Sequence, residues 1–461
     1  MEDAGTTVFY NDEDDCLDYE CLHNNVEYDY DYTDSEKETL HELYQHCLSP
    51  SLFDTGHYIL PLLGSTILFR LLVHTEYISH QVFHILSVII GLYIIQHYVH
   101  ESLIVLIVFV LFSYGILHVP ERWHKGAGIF LPSLLIIAYC ELSMQPVIWH
   151  RIRSVIMTMV MKAISVAIDT NDSNNLPDVY SYMGYMFCGV TCLFGPWVSF
   201  RNYLSLRYSS SQTKWWIICS IGFVFLSFVF LSISNCWTQW IFVDNSWKWL
   251  IAYRDAISFR TSHYFVSYIA SALLVLGGFP LSSSTIVKPL YIEFPRSLVQ
   301  VVVFWNIPMH HWLKTYIFRP SIQNLGKFGA VIITYLISSL LHGLNFQLAA
   351  VLLSLGFYTY VEFQLRATLA DTFDACVASK QCTKKKCMHK YNSYNCMVFM
   401  TNLMFSFGAI FHLAYLGLMF DTSDLQETGY SYNHTINKWA ELGFASHWVA
   451  LATYCIYLLT K

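Results

Sequence analysis

Charged residues divide this chain into long apolar runs joined by short polar segments. With Asp, Glu, Lys and Arg as the only interruptions, uninterrupted runs cover 77–100, 102–120, 179–200, 215–243, 261–287, 328–361, 397–420 and 442–460. Each can hold the roughly 20 residues a helix needs to cross bilayer hydrocarbon. Shorter runs at 55–69 and 126–140 fit tilted, buried or re-entrant helices. No strand alternation suggests a barrel. The pattern predicts an all-α polytopic membrane protein of about 10–12 membrane helices, some broken or re-entrant.

Composition agrees, with 55% hydrophobic and 13% charged residues. A soluble globular chain carries charge on roughly a quarter of its residues. The net charge of −7 is uneven: residues 1–46 hold 15 acidic residues against one Lys, and the rest is near +7. That opening segment has too little aliphatic surface to offset chain entropy, and reads as a disordered, solvated acidic tail. It lacks the basic start and apolar core of a cleavable signal peptide, so the helix near His57–Val73 is expected to serve as its own insertion signal. From residue 47 to 461 no linker, repeat or further composition change intervenes, which predicts one membrane domain.

Two joints have substance. Residues 285–327 mix apolar, aromatic, Pro and basic groups, as in Lys288-Pro289-Leu290 and Phe294-Pro295-Arg296. This fits broken helices, which membranes tolerate only around a protein-lined cavity. The joint at 371–396 carries Lys380, Lys384, Lys385, Lys386 and Lys390. The positive-inside rule makes it cytosolic. The following helix then delivers Asp421–Glu441 to the lumen, where Asn433-His434-Thr435 is a glycosylation sequon. Run 328–361 is long enough for two short antiparallel passes meeting near His342-Gly343-Leu344-Asn345, with His342 nearer the lumenal half.

Of 13 Cys, Cys376, Cys382, Cys387 and Cys396 surround His389 in the basic joint. Zinc is one reading. The spacings lack the two-residue knuckle of common zinc sites and a cytosolic joint disfavours disulfides, so free or lipid-modified thiols are expected and no metal is assigned. The 20 His raise a di-iron desaturase as an alternative, through His80/His84 and His97/His100. His310-His311, however, has no His two or three positions before it.

His342 stands out within 34 residues free of formal charge. An ionisable ring at membrane depth faces a cavity or a partner; the plainer reading is a bond to Ser338 or Ser339. His412 shares this apolar setting. Asn306 precedes Pro308, which disturbs a helix, and its amide offers both donor and acceptor. It is either a simple cap or a group that holds a carbonyl.

Several segments, in this order, resemble the membrane-bound O-acyltransferases, within them the branch that lipidates Wnt proteins. They are Met161-Lys162-Ala163-Ile164-Ser165, Phe194-Gly195-Pro196-Trp197-Val198-Ser199-Phe200, Lys288-Pro289-Leu290 with Glu293-Phe294-Pro295-Arg296-Ser297, and Trp305-Asn306-Ile307-Pro308-Met309. Leu340-Leu341-His342-Gly343, Ala409-Ile410-Phe411-His412-Leu413-Ala414-Tyr415-Leu416-Gly417 and Ala445-Ser446-His447-Trp448-Val449 complete the set, which covers most of 140–461. The resemblance implies a central tunnel ringed by broken helices in the endoplasmic reticulum membrane. It implies palmitoleoyl-CoA as co-substrate, a Wnt Ser hydroxyl as acceptor, surrounding lipid, no permanent cofactor and no nucleic acid. His342 falls on the family's near-invariant His and would be the general base, and Asn306 would hold the thioester or oxyanion. Trp305, Ser338 and Ser339 are candidate lining groups. Lys288, Arg296, Lys314 and Arg319 are candidates for the CoA phosphates. His412, His447, His310 and His311 are expected to pack or hydrogen-bond. A carrier of acyl chains or Wnt without chemistry is the other alternative.

Overall fold

The computed structural model describes residues 38–100, 103–119, 125–170, 176–208, 215–243, 246–382, 387–420 and 431–461. Most of the acidic tail, Lys384–Lys386 and Asp421–Tyr430 lie outside them. Apart from one isolated bridge between Ala375 and Tyr391, the described residues form helices and turns.

Helix α1 runs Leu40–His74 and so begins before the boundary drawn at residue 46. It is followed by α2 His80–Val99, α3 Leu103–Leu117, α4 Lys125–Ser143, α5 Pro146–Asp169 and the short α6 Val179–Met186. Next come α7 Trp216–Ile241 and α8 Lys248–Leu276, then α9 Leu298–Trp305, α10 Ile307–Leu341, α11 Phe346–Phe373 and α12 Cys396–Gly417. A bent pair, α13 Tyr432–Glu441 and α14 Ala445–Thr460, closes the chain with an angle of 72°.

Six of these helices are long and apolar enough to cross a membrane, or seven with the bent pair as one span. The larger number expected from apolar runs is approached by α3 and α4, which are short, and by α5 and α8, which are long but carry buried cations. Lys162 on α5 is fully buried; its ammonium donates to the carbonyls of Tyr185 (2.9 Å) and Met186 (3.3 Å) and to Thr191 Oγ1 (2.9 Å). Three acceptors match three N–H donors, which offsets burying the charge. Arg260 on α8 makes a two-point ion pair with Glu293, 2.9 Å on each arm, and Tyr264 donates to the same carboxylate at 2.7 Å. Segment 289–294 is thereby tied to α8.

Helices α1 and α7 are joined at both ends. Cys47 and Cys236 form a disulfide across 189 residues of chain. At the other end, the Arg70 guanidinium lies 3.7 Å from the Trp216 ring centre and donates to the carbonyls of Val275 and Leu276 at the end of α8. Between α7 and α8, Ser234 and Ser258 exchange hydroxyl-to-carbonyl bonds of 2.9 and 2.8 Å, the close approach that small residues permit in membranes. A disulfide belongs to an oxidising compartment. Alternating passes through α8, α10 and α11 put the basic joint 371–396 on the opposite side, in keeping with the positive-inside rule.

The sequon differs from its expected loop setting. Asn433 is exposed but lies in α13, and Thr435 is fully buried, donating to Gln347 Oε1 at 3.3 Å. The helix needs its Thr for docking, which removes that hydroxyl from the surface.

Substituting Cys47→Ser is expected to leave Cys236 reactive toward a membrane-impermeant maleimide applied from the non-cytosolic face only. Labelling of Cys236 itself from the cytosolic face, or of Cys236 in the unaltered chain without reductant, would contradict this arrangement.

Candidate active site

The site is assembled at two helix breaks. Pro308 stands in the first turn of α10, where its missing N–H costs nothing. The residue before that turn, Asn306, takes an extended conformation (φ −147°, ψ 91°) and ends α9. Its Oδ1 accepts from the Met309 N–H at 3.0 Å, a helix N-cap. The break is braced by the preceding segment: Ile307 N–H donates to the Ile286 carbonyl at 2.8 Å, and Lys288 N–H donates to that of Phe304 at 3.1 Å. With Oδ1 engaged in the cap, the Asn306 Nδ2 donors have no partner among the described residues. The two readings of Asn306 are therefore compatible: one end of the amide caps, and the other is available to a ligand.

The second break follows α10. His342 terminates that helix, its N–H donating to the Ser339 carbonyl, and Gly343 takes φ +102°. The chain restarts at Asn345, whose Oδ1 accepts from Leu348 N–H at 3.1 Å to cap α11. The passes within 328–361 meet at residues 342–345, where the apolar run put them. Glu141, near the end of α4, accepts from the Leu344 N–H. A Cβ on residue 343 would stand 2.5 Å from this carboxylate, so both the conformation and the space call for Gly.

A straight helix of 35 residues would be about 50 Å long. At Gly326 (φ 65°, ψ −178°) the helical conformation is interrupted by a kink, so α10 is not straight. His263 on α8 braces the first break. It is stacked on Trp305 with ring centres 4.3 Å apart and planes parallel, and its Nε2 bonds the Trp305 carbonyl at 2.9 Å. It is also, with Arg153, an electrostatic neighbour of His342. Arg153 has Glu141 as its own counter-charge. The His342 ring is half-buried and has no hydrogen-bond partner among the described residues.

Ser338 and Ser339 are buried one turn earlier on α10 and make no bond to the His342 ring. Trp305 is half-buried against His263, in position to line the site. Lys288 is exposed, its ammonium 5.2 Å from the Phe304 ring centre, and Lys314 and Arg319 are exposed as well. Arg296 is committed elsewhere: its Nη2 donates to the Cys376 carbonyl at 2.8 Å and its Nε to that of Ala378 at 3.2 Å.

The other histidines have local partners. His412 bonds Ser446 Oγ; His447 bonds the Tyr415 hydroxyl at 3.1 Å and Ser354 at 3.4 Å. His311 stacks on Trp197. His84 bonds the Tyr203 hydroxyl at 2.9 Å and His80 that of Tyr208 at 3.2 Å, so neither is paired with the other as a metal box requires. Sequence reading missed His263, although the criterion that selected His342, a ring inside a charge-free run, applies equally to run 261–287. It also missed Glu141, whose role depends on a contact 203 positions away that no local pattern signals.

The profile of the family described as MBOAT, membrane-bound O-acyltransferase family, matches residues 144–416. Among full-length relatives, the protein-serine O-palmitoleoyltransferase porcupine of Anopheles gambiae is 33% identical, with 91% of this chain and 94% of that protein covered. The human and mouse proteins of that name are each 34% identical; 93% of this chain and 99% of each of theirs are covered. The similarity extends well beyond the 140–461 stretch whose motifs carried the resemblance.

Two substitutions separate the roles of Asn306. Asn306→Asp keeps the cap acceptor but removes the Nδ2 donors, and is expected to leave thermal stability within a few degrees while lowering activity about 10²–10³-fold. Asn306→Ala is expected to lose the activity and about 1 kcal/mol of stability as well. Glu141→Ala is expected to cut activity at least about 10-fold by releasing the 342–345 turn, with Glu141→Gln, which keeps an acceptor, recovering most of it. Turnover and melting temperature measured on the same preparations check all three.

Proposed function

The chain belongs to the membrane-bound O-acyltransferase family, and from that premise we infer that it is a protein-serine O-palmitoleoyltransferase. Its reaction moves a cis-monounsaturated C16 acyl group from the CoA thioester to a Ser hydroxyl of a Wnt protein, in the endoplasmic reticulum membrane. The observation that carries this reading is similarity over more than nine tenths of the chain to enzymes bearing that activity in their name. Asn306 Nδ2 and the His342 ring, the unpaired polar groups of the two breaks, supply the groups the reaction needs.

A Ser hydroxyl is a weak nucleophile at neutral pH, so the reaction needs a base at the moment of attack. His342 has an open ring and a backbone fixed by Gly343 and Glu141. It takes the hydroxyl proton as the Ser oxygen bonds to the thioester carbon. Negative charge then develops on the former carbonyl oxygen, and the unpaired Nδ2 donors of Asn306 supply hydrogen bonds to it. As the tetrahedral centre collapses, the carbon–sulfur bond breaks and the CoA thiolate takes up the proton held by His342. The acyl group passes directly from sulfur to oxygen, with no acyl-enzyme.

His263 is a positioning residue. It bonds the Trp305 carbonyl and lies against that ring, which fixes the residue next to Asn306. Lys288, Lys314 and Arg319 are the exposed cations suited to the CoA phosphates on the cytosolic side. Arg296 acts instead on the polypeptide. A bent apolar tunnel selects the cis chain, each methylene contributing roughly 1 kcal/mol.

The test is transfer of an alkyne-tagged cis-unsaturated C16 group from CoA to a Ser-containing Wnt peptide by the purified protein in detergent. His342→Ala is expected to lower the rate about 10²–10⁴-fold, a Ser→Ala peptide to abolish product, and His311→Ala to leave the rate within about twofold. Full transfer by a folded His342→Ala protein would remove the proposed base. Acyl binding without any product from the unaltered protein would establish a carrier.

A further inference from the structure

The joint between α11 and α12 gathers three thiols and an imidazole. Cys376, Cys382, Cys387 and His389 each offer a ligand atom, and these four atoms lie within 4.8 Å of one another. His389 Nδ1 is 3.6 Å from Cys382 Sγ and 3.5 Å from Cys387 Sγ. A tetrahedral zinc ion with Zn–S about 2.3 Å and Zn–N about 2.0 Å requires S···N edges of about 3.5 Å. Cys382 and Cys387 already stand at that separation from the ring, with Cys376 within 4.8 Å of both. Among the described residues this is the one group of His, Cys, Asp and Glu so arranged.

We propose that Cys376, Cys382, Cys387 and His389 form a structural zinc site on the cytosolic side of the protein. Three soft thiolates and one imidazole in a closed set of four suit Zn²⁺, and no position is left open for chemistry. An iron–sulfur cluster would call for four Cys. Cys396 does not serve: it is exposed at the start of α12 and outside the cluster. The sequence reading had grouped it with the other three Cys and found no two-residue knuckle. The fold closes the set differently, with Cys387-Met388-His389 supplying two ligands from one turn. Three thiolates on Zn²⁺ leave one net negative charge, and Arg296, which donates to the Cys376 carbonyl, provides nearby positive charge.

The limb that carries Cys376 is anchored from the membrane domain. Its carbonyls at Cys376 and Ala378 accept from Arg296, and Ala378 also accepts from the fully buried Arg366 at 3.3 Å. Asn402 Nδ2 donates to the Cys376 carbonyl at 3.2 Å, and Ser297 Oγ to that of Ser379 at 3.2 Å. Zinc closes the far limb onto this anchored one. The ion thereby holds Arg296 and Ser297, which immediately precede α9, the helix that ends at Trp305 and Asn306. Its role is to stiffen the cytosolic base on which the first helix break stands.

The full-length protein, purified in detergent without chelators, is to be analysed for metals by mass spectrometry. About one zinc per chain is expected, falling at least fivefold in Cys382→Ser and in His389→Ala and unchanged in Cys396→Ser. Variants that fold poorly are bypassed by alkylating the unaltered protein: Cys382 and Cys387 should react at least tenfold faster after a strong zinc chelator has removed the metal, with zinc released in equal amount. Less than one-fifth of an equivalent of zinc in the unaltered protein would overturn the site, as would equal zinc loss in Cys396→Ser or full alkylation of these thiols without zinc release. Stoichiometric iron in place of zinc would overturn the assignment of the metal.

Discussion

A backbone that leaves the helical path inside a membrane exposes N–H and C=O groups with no water to receive them. Most of the polar side chains described above answer that constraint. Asn306 and Asn345 cap the helices that restart after a break, Glu141 takes the Leu344 N–H, and His263 bonds the Trp305 carbonyl. Arg70 and Lys162 perform the same service for the carbonyls at Val275 and Leu276 and at Tyr185 and Met186. The groups proposed to react are the remainder: the Asn306 Nδ2 and the His342 ring, left unmatched at the same breaks. Structural satisfaction and chemical availability are thus divided within single residues, not allotted to different ones.

On the proposed mechanism, Asn306 and His342 would each be hard to replace for two reasons at once. The Asn306 amide holds a helix start with one end while its other end is free for a developing charge. A Gln would lengthen the side chain and move both ends; an Asp would keep the cap and present the wrong charge to the reaction. His342 is held differently. Its ring is free, and precision comes from the backbone that follows, where Gly343 and Glu141 fix the turn. The base is aimed by its main chain, and the donor by its own side chain.

The helices, the break at Asn306 and the joint at residues 342–345 were legible in the sequence because each leaves a local signal: absence of charge, Pro308, or a lone His beside Gly. The partners of those breaks were not. Glu141 and Leu344 meet across 203 positions, and Cys47 and Cys236 across 189; neither pair has a period or a motif. Arg296 shows the same limit from the other side. Its charge suggested a phosphate ligand, yet the fold spends its donors on carbonyls near Cys376. In the cysteine joint the linear spacings carry no two-residue knuckle, and only the fold shows which three of the four Cys cluster with His389.

The burial of Thr435 bears on how the protein is made. A glycan is attached to Asn only when the sequon can extend into the transferase, and in the finished fold its Thr is held by Gln347 on α11. Any glycan at Asn433 would have to be added while α13 is still undocked. Occupancy of that Asn would then record a race between the sugar-transfer machinery and the seating of the last two helices, so that a slowly maturing chain would carry more sugar than a quickly maturing one.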